Sequence, residues 1–444
     1  FMDSQCIAAI STAAGTGGVA IIRLSGSGAL EIAGKVFSPA GKREVKDFRP
    51  RYMYAGSIAA AGGITDFGLC VYFRAPHAAP GEEVVELNCH GGAELSRGVL
   101  KKGRQRGARA ATAGEFTMRA FLNGKLSLAA AEGLADMING QSSAEVRAGS
   151  LLYAGRLTQR AEEIQAGLTD ILAMTGADVD YPEEDIERTE LSDIAARLKE
   201  LKGDIDALAA AFEGGKKIKN GVAVAICGRP NAGKSSLLNA LLGYDKAIVS
   251  SAAGTTRDVV EGELELEGVR FNFFDTAGIR ERAGEIEKLG IVRAKQALAA
   301  ADLALVVYEG AFGDEEKRLV TQCSCPVIKV RNKRDLGDVP GGDEDIFVSA
   351  LSGEGMEELK KLLVNTALPQ SALEGAFLIE ERHYAALKRA SESLRSACDA
   401  VGAFPVDIVS VDIRSAWDAL GEITGETATE EIVDTIFSKF CVGK

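Results

Sequence analysis

Gly228-Arg-Pro-Asn-Ala-Gly233-Lys234-Ser235, set directly behind the apolar run Val222 to Cys227, decides the fold of the segment around it. Its glycines let the backbone turn with N–H groups aimed at the β-phosphate of a nucleoside triphosphate. Lys234 adds positive charge at the β/γ oxygens, and the Ser235 hydroxyl is a magnesium ligand in such a loop. A glycine-rich turn alone is weak evidence, but here a strand pattern precedes it and Ser236-Leu-Leu-Asn-Ala-Leu-Leu242 begins a helix pattern behind it. An α/β P-loop domain is therefore expected.

Outward from the loop, Asn332-Lys333-Arg334-Asp335 follows the apolar strand Val327 to Val330. A carboxylate there accepts two hydrogen bonds from the ring N–H and exocyclic amine of guanine, a pair adenine cannot offer. Ser349-Ala350-Leu351, after the expected strand Asp345 to Val348, is placed to offer backbone N–H groups to the guanine carbonyl. Between these lie Thr255-Thr256-Arg257-Asp258, a source of a threonine hydroxyl for magnesium, and Asp275-Thr276-Ala277-Gly278, which follows the strand Val269 to Phe274. In the second, the aspartate belongs at the metal and the glycine near the γ-phosphate. Each tetrapeptide alone is as readily a turn or a cap; five motifs in this order make GTP the expected nucleotide.

Many switch proteins place a glutamine after the Asp-Thr-Ala-Gly motif to orient the attacking water, but this chain has Ile279, which cannot. Asn231 inside the phosphate loop and Glu287 beyond the second switch occupy the places where a substitute is needed. A monovalent cation held by the Asn231 amide and switch-loop carbonyls would supply the charge that an arginine finger supplies elsewhere.

Ala247-Ile-Val-Ser-Ser-Ala-Ala-Gly-Thr-Thr-Arg-Asp258, Asp275-Thr-Ala-Gly-Ile-Arg280, Phe121-Leu-Asn-Gly-Lys125, Asp180-Tyr-Pro-Glu-Glu-Asp185 and the terminal Phe440-Cys-Val-Gly-Lys444 together resemble the MnmE (TrmE) family of tRNA modification GTPases, in the TrmE-Era-EngA-like superfamily, over nearly the whole chain. The resemblance implies potassium held by Asn231 and the backbone carbonyls of Ser250, Ala252 and Thr255, and magnesium held by Ser235 and Thr256. It implies a water placed with the help of Glu287, so that the catalytic set is Glu287, Asn231 and Lys234. The GTP contacts it implies are Asn231, Ala232, Gly233, Lys234, Ser235 and Ser236, then Ser250, Ser251, Ala252, Ala253, Gly254, Thr255 and Thr256. They continue with Asp275, Thr276, Ala277 and Gly278, and with Asn332, Lys333, Asp335, Ser349 and Ala350. Arg280 reads as a finger on charge alone; a solvated or switch-stabilising role is preferred.

For the N-terminal segment, whose chemistry no spacing names, the resemblance implies a tetrahydrofolate-binding-like domain that forms a homodimer interface. It would bind 5-formyltetrahydrofolate or another tetrahydrofolate through Arg23, Glu86 and Lys125, with Lys444 nearby. A carboxylate suits the pterin amino edge and cations suit folate carboxylates. Two departures from the family pattern fall beside this pocket: Ala79-Pro80-Gly81-Glu82 stands where Tyr-Thr-Gly-Glu is usual, and Ala113 replaces a common proline. Cys441 invites a nucleophile reading, but Lys444 and its terminal carboxylate act on a thiol in opposite directions. It is left out of the catalytic set, with the tail expected to dock at the folate pocket.

The implied function is a potassium-dependent GTPase that works with a flavin-dependent, FAD-containing partner of the MnmG type. Together they would install an aminomethyl or carboxymethylaminomethyl group at C5 of the tRNA wobble uridine. The competing reading, a ribosome-assembly GTPase switch, shares every nucleotide motif but ordinarily carries an RNA-binding module, and no Gly-x-x-Gly clamp in a basic setting follows residue 370. A membrane-remodelling GTPase would need an amphipathic basic segment that the acidic C-terminal helices do not supply.

The expected architecture has four segments: residues 1–119, an α/β folate-binding-like and dimerisation domain; 120–215, the first half of an α-helical domain; 216–371, an inserted GTPase domain; and 372–444, the second helical half with its Cys-Val-Gly-Lys tail. Val19 to Leu24, Phe67 to Phe73 and Val84 to Cys89 are the clearest N-terminal strands, while 120–212 and 380–440 carry helical spacing. Gly214-Gly215 and the stretch near Pro369 are expected hinges. The chain has 444 residues, 46% of them hydrophobic, enough for about three domains of ~150 residues. It has no uninterrupted apolar stretch of the ~18 residues a membrane span needs. The start lacks a secretory pattern and the eight scattered cysteines read as reduced thiols, so a cytoplasmic protein without a membrane partner is expected; Cys323-Ser-Cys325 is too tight for usual zinc spacing. The net charge of −13 opposes indiscriminate nucleic-acid binding. The basic runs Lys101 to Arg109 and Lys216 to Lys219 read more simply as a solvated face and a linker than as tRNA contacts.

Overall fold

The apolar run that leads into the phosphate loop is the central strand of one of two sheets. The computed structural model describes residues 5–180, 191–244, 262–275, 300–336, 346–368 and 380–444. Within them the chain forms two compact units: residues 1–135, 152–202 and 389–444, and residues 136–151 and 203–388.

In the first unit a sheet is built from β1 (Ile7–Ile10), β2 (Gly17–Ser25), β3 (Phe37–Pro39), β4 (Met53–Ala59), β5 (Thr65–Phe73), β6 (Val84–Gly91) and β7 (Arg109–Ala110), in the order β3-β4-β5-β6-β2-β1-β7. All pairs are antiparallel except β1 with β7. One face alternates inward through Ile22, Leu24, Val85, Leu87 and Cys89 and buries them under α1 (Ala29–Gly34) and α2 (Ala93–Gln105). The three strands expected from the sequence are β2, β5 and β6. Along the chain follow α3 (Glu115–Leu122), α4 (Leu128–Asn139), α5 (Ser143–Tyr153), α6 (Arg156–Asp180), α7 (Leu191–Ala210) and α8 (Phe212–Asn220), of which α8, most of α5 and the ends of α4 and α7 fall in the second unit.

Of the C-terminal helices, Glu381–Ala400 returns to the first unit from Arg389 onward, and Val406–Thr424 and Glu430–Ser438 lie wholly within it. Helix Val406–Thr424 lies along α6, where Gln165 Nε2 donates to the Trp417 carbonyl at 3.1 Å and Trp417 Nε1 donates to Thr169 Oγ1 at 3.1 Å. The two helical stretches on either side of the GTPase segment thus pair with one another. Gly214 and Gly215 lie inside α8 instead of breaking it; the break falls one turn earlier, at Ala211. Phe212, stacked on Tyr384 with centroids 4.4 Å apart, and the buried Ile218 give this helix a packed face that outweighs the weak helix propensity of glycine. Pro369 lies outside the described residues.

In the second unit β8 (Val222–Gly228), β9 (Gly262–Leu266), β10 (Val269–Asp275), β11 (Leu303–Tyr308), β12 (Val327–Arg331) and β13 (Ile346–Phe347) form a sheet in the order β13-β12-β11-β8-β10-β9, parallel except for β9. Every residue of β11 is buried, as expected for a strand covered on both faces. The β9–β10 hairpin turns through Glu267 and Gly268, both at positive φ (47° and 82°), the geometry of a two-residue turn matched to strand twist. Helix α9 (Lys234–Tyr244) follows the phosphate loop.

A buried ion network fixes the start of α3. Arg109 donates to Glu115 at 2.6 and 3.0 Å and Arg119 at 3.0 Å, and Arg119 also meets Glu82 at 3.0 Å. Burial alone would raise the Glu115 carboxyl. Hydrogen bonds from Arg109 and the Thr112 N–H, with the charges of Arg109 and Arg119, outweigh it and hold the group at about 2, below its ordinary 4.5. A carboxylate depressed in the folded state stabilises fully above its unfolded value and loses that contribution as pH falls towards the folded one. Between pH 5 and pH 3 the denaturant midpoint of the wild-type chain should therefore fall more steeply than that of Glu115→Gln; parallel pH profiles would contradict this network.

Candidate functional site

The phosphate loop leaves the carboxyl end of β8, whose neighbours β11 and β10 run off in opposite directions across the sheet; this is the switch point at which open α/β sheets bind ligands. Gly228 takes φ 151°, and a Cβ there would stand 2.0 Å from the Val307 carbonyl oxygen, so only glycine lets the chain leave the strand here. Asn231 adopts φ 64° and Gly233 φ 89°. Helix α9 begins at Lys234, a buried residue whose ammonium donates to the loop carbonyls of Gly228 and Arg229 at 3.1 and 2.8 Å. The helix N-terminus and the turned N–H groups make this end of the sheet an anion site in the physical sense.

The base-reader motif meets the loop through one side chain. Asn332, 4% exposed, donates from Nδ2 to the carbonyls of Ala232 (3.1 Å) and Gly233 (3.4 Å), and its Oδ1 accepts from the Ala350 N–H at 3.1 Å. The fully buried Ser349 donates from Oγ to Asp335 Oδ1 at 2.6 Å. Asp335 is exposed, in a 3₁₀ turn after β12, and Lys333, at φ 67°, pairs with Glu309. The structure therefore brings together Ala232, Gly233, Lys234, Asn332, Asp335, Ser349 and Ala350. Ser235 and Ser236 lie in the first turn of α9, both exposed, and Asn231 stands exposed in the loop, its amide making no hydrogen bond among the described residues. Asp275 ends β10 opposite Ile226 of β8, at the same edge. Ser250, Ser251, Ala252, Ala253, Gly254, Thr255, Thr256, Thr276, Ala277, Gly278 and Glu287 lie outside the described residues, as do Ile279 and Arg280.

One anchoring pair escaped the sequence reading. Arg229 of the loop holds Glu316 at 2.6 and 2.9 Å, and Glu316, 2% exposed, also accepts from the Gly313 N–H at 2.9 Å. Its only trace in the sequence is an acidic residue at the third position of a helix, a common capping pattern.

The first unit holds a cavity of about 1220 Å³, lined by Arg23, Phe116, Phe121, Lys125, Glu426 and Lys444 among others. Arg23 and Glu86 are directly opposed on β2 and β6 and form an ion pair at 2.8 Å, and Arg23 lies 5.6 Å over the Phe116 ring. Glu86 thus positions Arg23 and is not itself part of the lining. The tail reaches the cavity because Val442 bridges Ala113, the Gly114 N–H donates to the Cys441 carbonyl at 3.4 Å, and the Phe116 N–H donates to the Lys444 carbonyl at 3.2 Å. Gly443 takes φ 102°, with a Cβ excluded at 2.2 Å by the Ile10 carbonyl oxygen. The divergent loop lines the same cavity through Ala79 and Pro80; the Pro80 carbonyl accepts from Asn123 Nδ2 at 2.7 Å, and Glu82 accepts from Ser25 Oγ at 2.6 Å. Cys441 is exposed and does not line the cavity.

A mostly parallel sheet with this loop at its switch point, in one chain with a mostly antiparallel sheet and a helical region, is the architecture of a P-loop GTPase joined to further domains. The chain belongs to the MnmE family. The family profile for the MnmE helical domain matches residues 128–441, and that for the GTP-binding protein TrmE N-terminus matches residues 6–125. Relatives carrying the name tRNA modification GTPase MnmE are 42% identical over 466 residues in Moorella thermoacetica, 39% over 458 in Symbiobacterium thermophilum and 36% over 459 in Clostridioides difficile, each match covering 100% of both chains. Among solved structures, the G domain of the T. maritima FeoB iron transporter is 28% identical over 33% of this chain and 98% of that one, with a TM-score of 0.25.

Gly233→Ala should weaken nucleotide binding by about 10- to 100-fold, from backbone strain of ~1–3 kcal/mol at positive φ and a Cβ forced onto Asn332. The clash would be at 2.2 Å from Asn332 Nδ2. Titration with a fluorescent GDP analogue measures it, and unchanged affinity would mean that the loop does not need this geometry.

Proposed function

We propose that this chain hydrolyses GTP, with magnesium, in the modification of tRNA. The observation that best supports the reading is the Asn332 bridge, which fixes the loop carbonyls of Ala232 and Gly233 against the segment carrying Ser349 and Ala350, next to Asp335. In this reading the α9 N-terminus and the turned N–H groups hold the phosphates, Lys234 exchanges its loop carbonyls for β/γ oxygens, and Ser235 and Thr256 hold the metal. Asp335 moves from the Ser349 hydroxyl to the guanine edge. Asp335→Asn should lower the preference for GTP over xanthosine triphosphate by about 10- to 100-fold, because an amide in that place mismatches the guanine donors. Competition binding of the two nucleotides tests it; unchanged preference would remove the base-reader role.

The finer reading is a potassium-dependent GTPase. The exposed Asn231 amide at the phosphate edge supports a cation held there with the Ser250, Ala252 and Thr255 carbonyls, and Glu287 placing the water. A cation held by these groups would supply positive charge to offset the negative charge that builds on a transferring phosphoryl group. Single-turnover hydrolysis should be faster in potassium than in sodium, and Asn231→Ala should abolish the difference; equal rates in both salts would overturn it.

The cavity's cations, Arg23, Lys125 and Lys444, beside Phe116 and Phe121, suit an anionic, partly aromatic ligand such as a tetrahydrofolate. Its role would be carbon donor or effector in modifying C5 of the wobble uridine, in a homodimer acting with an FAD-containing partner of the MnmG type in the cytoplasm. Among the described residues no helix is long and apolar enough to cross a membrane.

A further inference from the structure

Cys227 is the last residue of β8 before Gly228, and Cys323 follows directly on the helix Asp314–Gln322. Both belong to one small apolar cluster with Ala225, Val306, Phe312 and Val320. The buried Cys227 thiol stands within hydrogen-bond reach of the Leu305 carbonyl, at 3.5 Å, and of the Cys323 sulfur. Cys323 is partly exposed and donates to the Leu319 carbonyl at 3.2 Å. The contact with Cys227 holds the Cys323 thiol below its ordinary value, while the same contact and burial push Cys227 up. A partly exposed thiol packed beside a buried one is the arrangement in which an attacking and a resolving cysteine meet.

The two thiols also lie at the root of the nucleotide site. The helix Asp314–Gln322 grips the phosphate loop at its N-terminal end through Glu316 and Arg229, and it touches the strand end that carries the loop through Cys323 and Cys227. Strand β8 is fixed on both sides by β10 and β11, and the residue after Cys227 has no room at Val307. A bond of ~2.05 Å between sulfurs now in hydrogen-bond contact must therefore draw the helix toward the strand. Arg229 follows its Glu316 anchor.

We propose that Cys227 and Cys323 form a reversible, peroxide-driven disulfide that slows GTP turnover by displacing Arg229 and the phosphate loop. The Cys323 thiolate attacks a peroxide oxygen, giving a sulfenic acid and releasing hydroxide, which takes up a proton as water. The Cys227 sulfur then attacks the sulfenic sulfur, forming the S–S bond and expelling a second water. Two thiols lose two electrons and two protons to one peroxide. A dithiol reductant reverses the change.

The full-length protein is treated with hydrogen peroxide, alkylated without reduction and mapped by peptide mass, with GTP turnover and affinity for a fluorescent GDP analogue measured before oxidation, after it, and after dithiothreitol. The expected result is a Cys227–Cys323 bridge, a several-fold fall in turnover with a matching shift in analogue affinity, and recovery on reduction. Cys323→Ser should form no bridge and keep both readouts through oxidation. A bridge between Cys323 and Cys325, oxidation confined to the exposed Cys441, or a Cys227–Cys323 bridge that leaves turnover and affinity unmoved would each overturn the proposal. Absence of turnover in the reduced protein would count against the GTPase reading alone, since the bridge and the analogue affinity are read without it.

Discussion

The Asn332 side chain is the point on which the nucleotide end of the molecule depends. Its amide spends both donors on phosphate-loop carbonyls and its acceptor on the Ala350 N–H, so three segments far apart in sequence share one planar group. A buried amide satisfied on all sides fixes its neighbours because any displacement leaves a desolvated polar atom without a partner. Gly233 packs so closely on that amide that no side chain fits between them. Loop shape and the position of Asp335 are therefore one constraint.

A comparable constraint orders the first unit. Phe437 and Phe440 pack with Phe121, Leu128 and Ala131, bringing the last helix against α3, and the final residues then run beside Ala113 and Gly114. The C-terminus is thus built into the domain at the other end of the sequence, and Lys444 reaches a cavity that also contains Arg23 and Lys125. The altered loop at Ala79-Pro80 does not disturb this frame. Its Glu82 is absorbed into the Arg119 network and its proline carbonyl caps Asn123. Ala79 and Pro80 line the cavity wall, while Glu82 and the Pro80 carbonyl belong to the support beneath it.

Much of this was legible in the residues because local chemistry dictated it. Gly228 to Ser235 specifies a loop through glycine conformations and charge, and the runs ending at Cys227, Phe274 and Val330 specify strands through burial. Less legible was anything set by partners distant in sequence. Gly214-Gly215 reads as a hinge by propensity, yet Phe212 finds Tyr384 and the helix continues. That Glu86 stands directly across from Arg23 and pairs with it is set by the β2–β6 register, which the sequence does not print. Lys219 reads as part of a solvated basic run, while the fold pairs it with Asp136 and Glu380.

That last cluster bears on how a GTPase can be inserted in a helical domain at all. Lys219 stands at the end of α8, just before β8 begins, Glu380 lies just ahead of the helix Glu381–Ala400, and Asp136 belongs to α4. One lysine thus joins the end of α8 to α4 and to the residue ahead of the helix Glu381–Ala400. Burial pushes the Asp136 carboxyl up to about 6 against the pull of Lys219, with the Glu380 charge adding to the rise, and one Asp136 oxygen has no hydrogen bond among the described residues. Such a cluster is a poor source of net stability, since desolvation consumes most of the Coulombic gain. Its value is positional: a half-buried cation with two anionic partners tolerates little sliding, so charge fixes three segments where hydrophobic packing alone would accept several registers.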